Sequence, residues 1–120
     1  MEARRQSGAF SRFNLTAIGL CLLTSCFVQA APAHRCADAA KTQAQKLLAF
    51  HFGVDERIEV ENNVKTLPAI RNPAQKTQFF DVLEVWGYIY KGQYRMRLLY
   101  ARIPDECLLM GQEILEHVAL

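Results

Sequence analysis

Residues 78–103, QFFDVLEVWGYIYKGQYRMRLLYARI, leave the chain few ways to fold. Two runs dense in Val, Phe, Tyr and Leu flank Lys91-Gly92, and such residues favour a pleated, half-buried surface. A two-residue connection with glycine second suits a tight hairpin. Turning at Lys91-Gly92 places Leu83 opposite Tyr100, Val85 opposite Leu98, Gly87 opposite Met96 and Ile89 opposite Tyr94. That face is apolar throughout and closes on Asp81 opposite Arg102. The other face sets Trp86 opposite Arg97 and Tyr88 opposite Arg95. It turns apolar at its base, with Val82 opposite Ala101 and Phe80 opposite Ile103. A slip of one residue would turn Arg95 and Arg97 into the apolar face and bury two guanidinium groups without partners.

The N-terminus carries a different instruction. Arg4, Arg5 and Arg12 face only Glu2, and Phe13 to Val28 is uncharged. A basic start, an apolar run and small residues at the exit are the layout of a secretory signal peptide. The run is shorter than the roughly 20 residues of a membrane-spanning helix. Val28-Gln29-Ala30 followed by Ala31 suits signal-peptidase cleavage, giving a signal peptide over residues 1–30 and a single domain over 31–120. Leu23-Thr24-Ser25-Cys26 also fits a lipobox, which would end the leader at residue 25 and place a lipid on Cys26. The reading leans to cleavage after Ala30, because uncharged sequence continues past Cys26.

Without residues 1–30 the chain holds eleven Lys+Arg (14 less Arg4, Arg5 and Arg12) and eleven Asp+Glu (12 less Glu2). The positive charge therefore belongs to the leader. A neutral body has no long-range field to gather nucleic acid or anionic membrane. No nucleic-acid partner is expected, and membrane contact only through a lipid on Cys26. Of the four cysteines, Cys36 and Cys107 alone lie in the body. In an oxidising compartment they most simply form one disulfide. Closing a loop of that length stabilises a fold by about 4 kcal/mol on the chain-entropy model, a large share for about 90 residues. Neither a Cys-x-x-Cys redox pair nor metal-ligand spacing is present.

Residues 36–52 predict an amphipathic helix stopped at Gly53, with Ala40, Ala44, Leu47, Leu48 and His51 on one stripe. Arg57 to Glu61 alternates as a short strand, and Asn62-Asn63 signals a turn. Residues 64–70 suggest a second, irregular strand that Pro68 restricts to an edge or a loop. Residues 71–76 are a loop. After Pro104-Asp105-Glu106 the chain returns, with Leu108, Met110 and Ile114 spaced as in a strand; a helix over Gln112–Val118 is the alternative. The fold class is α+β: one N-terminal helix packed on a three- to four-stranded antiparallel meander, held by one disulfide. In element order, and in that alone, this resembles cystatin-like folds.

Catalytic constellations do not emerge from the residues. There is no phosphate-binding loop and no nucleophile elbow. Ser7, Ser11 and Ser25 all fall in the leader, so the body has no serine nucleophile. His34, His51 and His117 are far apart, and the adjacent Asp105-Glu106 reads as a solvated turn. No catalytic residue, metal or cofactor is assigned. What stands out is a surface: Trp86, Tyr88, Arg95 and Arg97 on one hairpin face, residue types enriched at binding hot spots. Cross-strand pairs of these types also stabilise sheets without any partner. The expectation is a small exported, non-enzymatic binding or accessory module of the periplasm of a bacterial-type envelope or of the extracellular space, using its sheet on an unknown protein or small ligand. A lipid-anchored structural envelope protein and an inhibitor of a secreted enzyme are the alternatives. Oligomeric state is left open by the residues.

Overall fold

The computed structural model describes residues 26–27 and 31–118. The leader reading lies outside these residues apart from Cys26 and Phe27, and Cys26 carries a free, exposed thiol. In chain order the elements are α1 (Ala37–Phe52), β1 (Ile58–Val60), β2 (Lys65–Arg71), β3 (Phe79–Ile89), β4 (Gly92–Ala101) and β5 (Leu109–His117). The α+β class stands, with five strands rather than three or four. The extra strand arises because β1 and β2 both pair with β3 along one edge, β1 at Val60–Gly87 and β2 at Lys65–Glu84. Between them Glu61 still donates its N–H to the Trp86 carbonyl, so one interrupted strand runs along this edge. Pro68 sits where the β2 register shifts, between Leu67 and Ile70, as a residue without an N–H must.

The hairpin is present, but its register differs from the sequence expectation by two residues. Leu83 faces Leu98, Val85 faces Met96, Gly87 faces Tyr94 and Ile89 faces Gly92. The loop is Tyr90-Lys91, with Tyr90 in the left-handed region at φ 57°. Gly92 belongs to the strand, where its missing side chain has another use. A Cβ there would lie 2.5 Å from the Tyr94 hydroxyl and 2.7 Å from its ring. A slip of two residues keeps every side chain on its face, so the two faces are those expected. Cross-strand neighbours change: Glu84 faces Arg97 and Trp86 faces Arg95. The observed register sets a carboxylate against a guanidinium, where the expected one would have placed Leu99 opposite Glu84.

α1 lies on the apolar face. Ala40, Ala44, Leu47 and Leu48 are buried, and with Leu83, Val85, Met96, Leu98 and Tyr100 they form the core. Small residues early in the helix let it approach the sheet. A Cβ on Gly87 would meet Leu48 Cδ1 at 2.5 Å, so the bare backbone of β3 makes room for that leucine. His51 does not join the stripe: it is exposed, its ring edge-on to Phe52 at 4.7 Å. The Gly53 N–H donates to the Ala49 carbonyl and ends the helix.

β5 is a strand along Leu109–His117, which settles the helix alternative. Its acidic residues alternate with Gln112, Ile114 and Leu115 as well on a strand as on a helix, and pairing with β4 decides. The Cys36–Cys107 disulfide forms as expected, with Cα atoms 5.7 Å apart. It ties the N-cap of α1 to the loop before β5. Among the described residues no helix is long and apolar enough to cross a membrane.

Candidate binding face

Alternation along β3 and β4 sends Trp86, Tyr88, Arg95 and Arg97 to the side of the sheet away from α1. All four are half-buried, and no helix among the described residues covers them. The structure brings them together as expected, but gives each a different environment.

Trp86 donates its indole N–H to Glu84 Oε1 at 3.3 Å. Its ring stands against that of His117 on β5, with centroids 4.7 Å apart. Arg97 meets two carboxylates: its Nε donates to Glu84 Oε2 at 3.2 Å, and Nη1 lies 3.6 Å from Glu113 Oε1. Glu84 is only 8% exposed, so these donors replace the water it has lost. The Tyr88 hydroxyl donates to Glu61 Oε1. That bond, together with desolvation and the Glu61 charge, raises the phenol above its ordinary value and keeps it protonated.

Arg95 is the exception. Its Nε is buried without a hydrogen-bond partner among the described residues. Its cross-strand neighbours are Trp86 and Leu115, neither of them an acid. An unsatisfied buried donor costs about 1–3 kcal/mol.

Beside this cluster a hollow of about 520 Å³ opens over the interrupted edge strand. Trp86 and Tyr88 supply its apolar surface; Glu61, Lys65, Glu84 and Gln93 supply its polar groups. Both aromatic rings are anchored through their polar ends to the hollow's own carboxylates, so they are held in place before any ligand arrives. Towards the base the same face turns apolar, where Phe80 and Val82 are buried beside Ala101 and Leu99.

A second polar cluster lies at the far end of the sheet. His34 Nε2 lies 3.1 Å from Asp81 Oδ2, and Arg102 Nε donates to Asp81 Oδ1 at 2.7 Å. Burial pushes the Asp81 carboxyl up, but hydrogen bonds from Arg102 and His34, and their charges, hold it below the usual carboxylate value. His34 Nδ1 accepts the Cys36 N–H at 3.0 Å. Both ring nitrogens are thus taken, and neither is available to a substrate as a base. Arg35 donates to the carbonyls of Ile103 and Glu106, at 2.6 Å each. The cluster fastens the segment before α1 to the end of β4.

The sequence had pointed to the aromatic and arginine members of the face but not to Glu61, Glu84 or His117. Glu84 was legible in principle, two residues from Trp86 and therefore on its face. Glu61 lies in the gap between β1 and β2, where periodicity gives no signal. Among the described residues no three of His, Cys, Asp and Glu gather closely enough to hold a metal. No protein-family model matches the chain, and no curated protein or solved structure matches it.

Proposed function

We propose that this chain is an exported, non-enzymatic binding module whose site is the uncovered sheet face around Trp86 and Tyr88. The carrying observation is the 520 Å³ hollow with its two anchored aromatic rings. Concave, partly apolar surfaces with a few fixed polar groups are what ligands select. Export is supported by the leader pattern and by the Cys36–Cys107 disulfide, a bond that persists in oxidising compartments. Intact mass under non-reducing conditions tests cleavage after Ala30 against a lipid on Cys26.

Trp86 is the only tryptophan, so its fluorescence reports on the hollow alone. A panel of small polar ligands and short peptides, screened by that signal, should yield binders whose amide shift changes centre on Trp86, Tyr88 and Glu84. The double variant Trp86→Ala/Arg95→Ala should lose them while its thermal midpoint falls little. Arg97 is the wrong residue to remove, since it neutralises Glu84. A collapse in stability of the double variant would assign these side chains to packing instead. Binders mapping to the helix side would place the site elsewhere.

A further inference from the structure

The two edges of the sheet are built differently. The β1–β2 edge carries Lys65, Pro68 and Arg71 and is broken by the Glu61–Val64 gap and the shift at Pro68. These are the devices that keep an edge from pairing with another chain. Between Gly111 and His117 β5 has no Pro, no Lys and no Arg; its only charged residues there are Glu113 and Glu116, and its register against β4 is continuous. Its outer backbone groups face no strand among the described residues. Apolar side chains stand exposed along it, Leu115 at 48% and Val118 just beyond at 63%.

We propose that β5 pairs antiparallel with β5 of a second copy, about a two-fold axis at Leu115. Charge selects that register. An axis at Glu113 would set two carboxylates face to face, and like charges directly opposite are destabilising. An axis at Ile114 would face Glu113 with Leu115 and Gln112 with Glu116. An axis at Leu115 faces Ile114 with Glu116 on the helix side, but it alone packs the two Leu115 side chains together on the uncovered face and sets Glu113 opposite its partner's His117, twice. Neither His117 nitrogen has a hydrogen-bond partner among the described residues, so the imidazole is free to donate.

The same axis sets Val118 of one copy opposite Gln112 of the other, on the helix side. Gln112 there accepts the Gln43 amide at 2.9 Å. Together with Leu47 and Phe50 it lines a hollow of about 330 Å³ between α1 and β5. Phe50 is 89% exposed, the most exposed aromatic of the helix. One register thus occupies the exposed leucine, the exposed valine and the hollow beside the exposed phenylalanine. Two copies would share one sheet, with both uncovered faces on the same side.

The experiment uses the chain with both leader cysteines replaced, Cys21→Ser and Cys26→Ser, so that any new thiol is the only free one. Directly opposite residues place their Cβ atoms about 4.5–5.5 Å apart, close enough for a disulfide after slight adjustment. Under mild oxidation Leu115→Cys should give a covalent dimer, and Ile114→Cys and Glu113→Cys should give little. By sedimentation the chain without an added cysteine should dimerise with concentration. Leu115→Lys should shift it to monomer with its thermal midpoint and circular dichroism retained. A monomer at about 1 mM, a dimer that survives Leu115→Lys, or crosslinking strongest at Glu113→Cys would each overturn the proposal.

Discussion

The two faces of the β3–β4 hairpin are made by the same strands, and they are stabilised in opposite ways. Towards α1, Leu83, Val85, Met96 and Leu98 are fully buried, and two glycines give up their side chains so that Leu48 and Tyr94 can approach the backbone. That face depends on apolar area and close packing. Away from α1, Glu84, Trp86, Tyr88 and Arg97 are held by directed bonds between polar ends, with Arg95 left over. One face commits its residues to the core; the other leaves its side chains half-buried.

If the contrast is sound, the covered side should carry most of the stability. Reducing the Cys36–Cys107 bond frees the N-terminus of α1, and should lower unfolding free energy by about 4 kcal/mol. Denaturant titration with and without reductant measures it. Leu48→Ala should cost about 2–5 kcal/mol, because the residue is fully buried between Gly87 and the rest of the core. Trp86→Ala, a larger deletion by volume, should cost about 1 kcal/mol or less, since half-buried cross-strand pairs contribute that much. A Trp86→Ala cost equal to that of Leu48→Ala would erase the distinction between the faces.

A sharper comparison lies within the uncovered face, between two arginines two residues apart. Arg97→Met strands Glu84 in a buried position without its guanidinium and should destabilise by about 1–3 kcal/mol. Arg95→Met removes a buried N–H that has no partner, and should be neutral or slightly stabilising. The two variants have the same composition, so their chemical-denaturation midpoints compare directly. Equal losses would mean that Arg95 has an acceptor in solution.

The alternation of apolar and polar residues made the faces of the hairpin readable, and the single pair of body cysteines made the disulfide readable. The register was not, for a physical reason. Face patterning has a period of two, so it forbids a slip of one residue and is blind to a slip of two. The glycine that marks a turn in sequence marks the close approach of a tyrosine in the structure. Gly92 was open to both readings until the Tyr94 ring was in place. The aromatic and arginine side chains of the candidate site were legible by the same alternation. Their acceptors were not, because Glu61 reaches Tyr88 from a break in the edge strand. The β5 strand was ambiguous because Glu113 and Glu116 suit a solvated helix as well as an edge.

The smallest expected effect concerns the clasp at the far end of the sheet, which belongs to neither face. Asp81 holds both Arg102 and His34, and its carboxyl titrates below the ordinary value of about 3.9 that it regains on unfolding. A carboxyl whose folded value is depressed adds stability above the unfolded value and loses it as pH falls through the folded one. Asp81 therefore contributes its full share at neutral pH, and that share disappears below about pH 4. Asp81→Asn keeps one acceptor oxygen where Asp81 offers one each to His34 and Arg102, and it cannot titrate. The variant should be less stable than the parent chain at pH 7, and the gap should narrow as pH falls below 4. Asp38 and Asp55 are also depressed by neighbouring Lys41 and Arg57, and remain in both chains, so their contribution cancels in the difference. A gap between parent and variant that stays constant from pH 7 to pH 3 would show that the Asp81 charge does not stabilise the clasp, leaving shape and hydrogen-bond geometry as its whole contribution.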